Sequence, residues 1–270
     1  MTTFYLGTHQ PHWLALTTVP LMVSRRRLAG RVTQPRAVAP WVLDSGGFSE
    51  LQLHGRWTVD APAYVDEVRR YRDEIGRLAW AAPQDWMCEP SVIAGGRMGP
   101  LRFAGTGLSV REHQQRTVDN YLQLRDLAPD LPWIPVIQGY TQDEYLACVE
   151  LYASSGADLT AVPVVGLGSV CRRQATAEAH RIIAALHNVG VTRLHGFGVK
   201  TLGLARYGHL LASADSLAWS YDARRKPPLP GCTGHKNCAN CLRYALSWRE
   251  RVAAQLDADV AQPDLFGGAA

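Results

Sequence analysis

Long apolar runs are missing from this chain of 270 residues. With them goes any helix able to span a bilayer, which needs about 20 apolar residues in a row. The first residues, Met1-Thr2-Thr3-Phe4-Tyr5, lack the basic-then-apolar pattern of an export signal, so the expectation is a cytoplasmic protein with no membrane association. Cysteine is scarce, at six, and in a reducing compartment these argue against a disulfide framework. No glycine-rich loop ends in the Lys-Ser/Thr pair that cradles nucleotide phosphates, which argues against nucleotide hydrolysis. No internal repeat or low-complexity tract stands out. Charge of either sign is sparse, at 19% of residues, and the net value of +4 does not by itself demand a polyanionic partner.

What the chain does have is enough apolar content, 47%, to build a substantial core. Eight short β-rich segments occur at 3–6, 21–24, 41–43, 78–81, 134–137, 159–162, 193–195 and 214–217. Between them lie helical patterns at 61–75, 110–127, 142–154 and 174–188. In the first of these, Tyr64, Val65, Val68 and Tyr71 fall on one face. Strands alternating with helices imply a parallel sheet, and eight of them at this length imply an α/β fold of the (β/α)8 TIM-barrel type. The run Lys226-Pro227-Pro228-Leu229-Pro230-Gly231 marks the end of the barrel. The expected division is a barrel over 1–226, a metal knuckle and packing helix over 227–258, and a flexible tail over 259–270.

In a barrel of this class chemistry sits on the loops that follow the strands. Asp44-Ser45-Gly46-Gly47-Phe48 follows strand three: a carboxylate, a hydroxyl and two glycines that let backbone come close to a flat ligand. Later strand ends offer Asp85 and Trp86, Gln138-Gly139-Tyr140, Gly166-Leu167-Gly168-Ser169, Gly196-Phe197-Gly198, and Asp215-Ser216. Three carboxylates, an amide and glycine N–H groups suit a planar heterocycle, and Phe48, Trp86, Tyr140 and Phe197 are able to stack on it. A pair of acids across a sugar suits displacement at an anomeric carbon, one attacking and the other moving protons. Three basic clusters, Arg25-Arg26-Arg27, Arg172-Arg173 and Arg224-Arg225-Lys226, read either as solvated surface or, if they converge on one face, as a phosphate-binding set. His9 and His12 read as structural or surface residues ahead of site residues.

After the proline run, Cys232-x2-His235-x2-Cys238-x2-Cys241 places four soft or borderline ligands within ten residues, the pattern of a structural Zn2+ site. Cys88, Cys148 and Cys171 read as core or loop residues. Near the end, Gln262-Pro263-Asp264-Leu265-Phe266 resembles the peptide by which bacterial proteins dock on the replicative sliding clamp, with Gln262, Leu265 and Phe266 as its anchors.

The ordered set Asp44-Ser45-Gly46-Gly47-Phe48, Gln138-Gly139, Gly166-Leu167-Gly168, Phe197-Gly198-Val199 and Asp215-Ser216 resembles the tRNA-guanine transglycosylase superfamily over residues 40–245. The compact length resembles most closely its bacterial and phage members that exchange guanine in DNA for a 7-deazaguanine such as preQ0. The resemblance implies that Asp215 is the nucleophile and Asp44 the general acid/base, with Asp222 as an alternative carboxylate. It implies that Ser45, Gly46, Phe48, Asp85, Gln138, Gly139, Gly166, Leu167, Gly168 and Gly198 surround the base. It implies DNA and a free deazaguanine as partners, and leaves a homodimer open. The family takes its zinc histidine from further downstream; no histidine follows Cys241 here, so His235 is the local substitute. A tRNA transglycosylase is the competing enzyme reading, and a non-catalytic nucleic-acid-binding barrel the competing class.

Overall fold

The computed structural model describes residues 2–171, 173 and 176–261. The Gln262–Phe266 peptide, and Arg172 of the second basic cluster, lie outside the described residues.

The chain runs β1 (Thr3–Thr8), β2 (Leu21–Ser24), β3 (Trp41–Asp44), α1 (Gly47–His54), α2 (Ala61–Ile75), β4 (Leu78–Ala81), α3 (Pro90–Ala94), β5 (Gly96–Met98) and β6 (Leu101–Phe103). It continues through α4 (Val110–Leu127), β7 (Val136–Ile137), α5 (Gln142–Ser154), β8 (Val165–Leu167), α6 (Ala177–Asn188), β9 (Leu194–Gly196), α7 (Thr201–Tyr207), β10 (Ser213–Ser216), α8 (Ala218–Ala223) and α9 (Leu242–Ala261). Eight strands form one sheet in the order β4-β3-β2-β1-β10-β9-β8-β7, and its neighbouring strands pair in parallel. Its two edges meet just before β7. Ala81 N–H donates to Pro132 O (3.0 Å) and Ile134 N–H donates to Ala81 O (3.1 Å), a parallel bridge that curls the sheet back on itself. The expected TIM-like α/β architecture is therefore present.

Strand periodicity sorts the side chains into two layers. Phe4, Leu6, Leu21, Val23, Trp41, Leu43, Ala81 and Ala214 face the helices and join the large outer core. Met22, Val42, Trp80 and Ile134 face inward with Tyr5 and Phe197 and fill the lumen. The same alternation sends Ser24, Asp44 and Asp215 to the inner face at the strands' C-terminal ends, two residues beyond Met22, Val42 and Ser213.

Helix boundaries follow local chemistry. Asp60 caps α2 by accepting from Ala63 N–H, while Ser109 with Glu112 and Thr141 with Glu144 make capping boxes for α4 and α5. These three helices match the sequence expectation. The sixth barrel strand does not. It was expected at 159–162 and lies at Val165–Leu167. Asp158 Oδ1 accepts from both the N–H and the hydroxyl of Thr160, which winds 158–161 into a turn, and Pro163 then separates this turn from the strand. Gly166 and Leu167, expected in the loop, are strand residues as a result. The β5–β6 hairpin and helix α1 were also not foreseen. Helix α9 runs on to Ala261, past the point where the tail was expected to begin.

The knuckle and α9 share the barrel's core. Cys238, Ala239, Tyr244, Ala245, Trp248 and Val252 belong to the same apolar cluster as Trp13 and Trp219.

Candidate active site

Where β3 ends, Gly46 takes a left-handed φ of +80° and turns the chain into α1. A side chain there would meet Arg26 Cγ at 2.9 Å, so the glycine also lets Arg26 lie over the turn. Asp44 stays behind at the strand end, hydrogen-bonded by the Ser24 hydroxyl and the Gly46 N–H. Burial raises its pKa, the Asp215 charge adds to the rise, and the Ser24 and Gly46 hydrogen bonds oppose it.

Across the lumen, β10 presents Asp215, 8% exposed. The Gly198 N–H, in a left-handed turn after β9, donates to Asp215 Oδ1 at 2.8 Å. His195 Nε2 lies 3.5 Å from the same oxygen, while its Nδ1 is 2.9 Å from Ser213 Oγ. His195 is fully buried among Tyr5, Trp80 and Phe197. Sequence reasoning missed His195 as a site residue because it stands inside a strand; the period-2 spacing that puts Ser213 and Asp215 inward was the available signal.

The third acid, Asp85, follows β4. Ser45 donates to its Oδ1 (3.0 Å) and Gln138 Nε2 to its Oδ2 (2.6 Å). Burial, reinforced by the charge of Asp44, pushes its carboxyl up to about 7. Gln138 is held in turn, since its Oε1 accepts from Ser169 at 2.7 Å. A Cβ on Gly168 would sit 2.2 Å from Gln138 Nε2, so only glycine fits beside that amide.

Asp44, Asp85 and Asp215 line one cavity of about 240 Å³. Met22, Phe48, Met87, Phe197 and Leu217 give it apolar walls; Thr8, Ser24, Glu89, Gly168, Ser169, Cys171 and Gly198 are also part of the lining. Of the expected base-surrounding residues, Phe48, Asp85, Gly168 and Gly198 therefore face the cavity. Ser45 and Gln138 stand behind Asp85 and orient it. Gly139 packs its backbone on the start of α5, with Tyr145 N 2.9 Å from its Cβ position. Gly166 and Leu167 lie in β8. Of the four aromatics considered for stacking, Phe48 and Phe197 line the cavity. Trp86 instead lies under the Arg116 guanidinium, and Tyr140 under that of Arg173. Asp222 does not line the cavity; it stands on α8, bonded to Lys226 and Tyr244.

An adjoining cleft of about 400 Å³ shares Thr8, Ser24, Asp44, Phe48 and Leu217 with the cavity, and adds His9, Arg26 and Arg27. Arg25 corrects the reading of its cluster. It is buried, with its Nε 2.5 Å from Glu67 Oε2 and its Nη1 3.5 Å from Glu50 Oε1, and is neither solvated nor available to phosphate. His9 stacks on Trp219 and contacts Asn240 Oδ1 at 2.5 Å, tying the end of β1 to the knuckle.

In that knuckle the ligand atoms of Cys232, His235, Cys238 and Cys241 all lie within 4.8 Å of one another. Cys232 and Cys241 sulfurs are 3.9 Å apart, close to the roughly 3.8 Å edge of a tetrahedron with Zn–S bonds of about 2.3 Å. Leu229 N–H points at Cys238 Sγ (3.3 Å) and Arg243 Nη2 at Cys232 Sγ (3.2 Å), donors that suit thiolates. The donor set and its spacing are compatible with zinc.

A parallel barrel with facing acids at its strand ends and a Cys3His cluster after its last strand defines the class: a relative of the tRNA-guanine transglycosylases. The match to the family DpdA, DeoxyPurine in DNA protein A, extends over residues 1–269, and the chain belongs to that family of DNA deazapurine transglycosylases. No curated protein matches the chain. Among the described residues, no helix is long and apolar enough to cross a membrane.

Proposed function

We propose that this chain replaces guanine in DNA by a 7-deazaguanine of the preQ0 type, acting as a pentosyltransferase through a covalent Asp215–deoxyribose intermediate. The observation that carries the reading is the convergence of Asp44 and Asp215 on one apolar-walled cavity, each on the inner face of its strand. An Asp215 oxygen attacks C1′ of the target nucleotide, the C1′–N9 bond breaks, and its electron pair leaves with guanine. Asp44 supplies the proton that the departing base needs, and its raised pKa favours the protonated form at that moment. The incoming deazaguanine then gives its N9 proton to Asp44, attacks C1′ and releases the Asp215 carboxylate. Asp85 holds the polar edge of the base, oriented from behind by Ser45 and Gln138, while Phe48 and Phe197 flank the ring. Cys232, His235, Cys238 and Cys241 would hold one Zn2+ in a structural role, outside the cavity lining. Arg26 and Arg27 in the adjoining cleft suit the phosphates on either side of the target.

The test is incorporation of a radiolabelled 7-deazaguanine into duplex DNA and, in parallel, into tRNA. Label enters DNA with the parent protein, and Asp215→Asn lowers the rate by about a thousandfold or more and abolishes the denaturant-stable protein–DNA adduct. An active Asp215→Asn protein would overturn the nucleophile, and label in tRNA alone would overturn the DNA substrate.

A further inference from the structure

The β5–β6 hairpin grows from the chain directly after the cavity residues Asp85, Met87 and Glu89, through the short helix α3. Its base is firmly seated. Phe103 is buried in a small cluster with Leu51, Trp86, Met87 and Val92, and meets Phe48 edge-on at 5.9 Å. Ala104 N–H donates to Gln52 O, Gln52 Nε2 donates to Arg102 O, and Gly95 and Gly105 pass so close that a Cβ on either would meet the other's backbone at 3.0 Å. Phe48 in turn lines both the cavity and its adjoining cleft. The hairpin is thus fixed to the rim of the site, one aromatic ring away from it.

Its outer part makes little sense as folding. Arg97 stands directly opposite Arg102, and Met98 opposite Leu101, across a Gly99-Pro100 turn. Like charges facing each other destabilise a strand pair, and a lone two-stranded hairpin has little stability to spare. Met98 and Leu101 are 47% and 38% exposed at the tip, where burial would have favoured the fold. Alternation puts the two arginines on one face and the two apolar side chains on the other.

We infer that this hairpin engages duplex DNA beside the target nucleotide, Arg97 and Arg102 on backbone phosphates and Met98 with Leu101 as a wedge against the base step that loses its member. A polyanion converts the arginine repulsion into attraction, and an unstacked base step is the surface that exposed Met and Leu complement. A barrel whose reacting acids lie in a recessed cavity cannot reach a base inside the helix, so the nucleotide must swing out and leave a gap for the wedge to fill. The inference rests on the DNA reading above and supplies the step that brings the base to the cavity.

Two double variants test it, Arg97→Ala/Arg102→Ala and Met98→Ser/Leu101→Ser. Binding of a fluorescein-labelled duplex is followed by anisotropy across a salt series, and labelled-base exchange is measured on that duplex and on its single strand. The arginine variant flattens the slope of log affinity against log salt by about 1.8, at 0.9 per phosphate contact. The apolar variant lowers the ratio of duplex to single-strand exchange by at least about tenfold. A parental salt slope overturns the phosphate contacts, and a parental ratio overturns the wedge. If the parent protein exchanges no base on any DNA, the catalytic reading falls, and the salt slope still decides whether the arginines hold phosphate.

Discussion

Replacing Asp85 by Asn should change how stability depends on pH, by an amount that follows from the site. In the folded protein the Asp85 carboxyl titrates near 7, raised by burial and by Asp44. In the unfolded chain it titrates near its ordinary value of about 3.9. Between these values the folded state holds a proton that the unfolded state has lost. Stability therefore falls as pH rises through this window, the reverse of the behaviour of an ion-paired Asp. Integrating between pH 5 and pH 8 gives a loss of about 2 to 3 kcal/mol from this one group, with one pKa unit worth about 1.4 kcal/mol. Asp44, also raised, adds a loss of the same sign. The quantity to measure is accordingly the difference between parent and Asp85→Asn, from urea unfolding at pH 5, 6, 7 and 8. The parent loses stability across the series by about 2 to 3 kcal/mol more than the variant does. Parallel curves for the two proteins would refute the claim that Asp85 is held largely protonated at mildly acid pH, and with it the picture of Asp44 and Asp85 as electrostatically opposed neighbours.

Two further outcomes follow from the packing. Gly168→Ala drives a methyl into the Gln138 amide, whose atoms stand 2.2 to 2.6 Å from the new Cβ. It should cost about 1 to 3 kcal/mol in thermal or urea unfolding and slow base exchange by displacing Asp85, whereas parental stability would show that Gln138 moves freely. Cys238→Ser should remove bound zinc, measured by mass spectrometry of the purified protein, and lower the melting temperature, because the knuckle shares the barrel's core through Cys238 and Ala239. Full zinc occupancy in that variant would refute the Cys3His site.

Much of this architecture was legible from pattern because its causes are local. Helices α2, α4 and α5 begin where Asp60, Ser109 and Thr141 cap them, and a cap with its partner three residues on is written in consecutive sequence. The strand at Val165–Leu167 was misplaced because the competing segment 159–162 is equally apolar; the decision rested on an Asp158–Thr160 turn, a contest between two short-range signals. The β5–β6 hairpin was invisible for the opposite reason. It has three residues a side, a Pro in its turn and charges at the positions where strands usually place β-branched residues.

The candidate site divides along the same line. Of the residues that touch the cavity, Asp44, Asp85 and Asp215 lie in recognisable strand-end runs and could be named from them. Residues that only hold them could not be assigned a role. Ser45 and Gln138 were expected at the base, yet their hydrogen bonds go to Asp85, and His195 was passed over inside its strand. Arg25 makes the point most sharply, since it shares a triplet with Arg26 and Arg27. Successive residues leaving β2 point in different directions, so Arg25 enters the protein toward Glu50 and Glu67 while Arg26 and Arg27 line the cleft beside Asp44. A run of like charges is thus one feature in sequence and two in space: an interior ion pair that fixes α1 and α2 behind the site, and a cationic lip in front of it. Removing a partner from such a buried pair leaves an uncompensated charge, whereas removing a cation from the lip leaves the fold untouched. Substitution along the triplet should therefore separate stability from DNA affinity residue by residue, with Arg25→Ala lowering the melting temperature, and Arg26→Ala and Arg27→Ala lowering the salt slope of duplex binding.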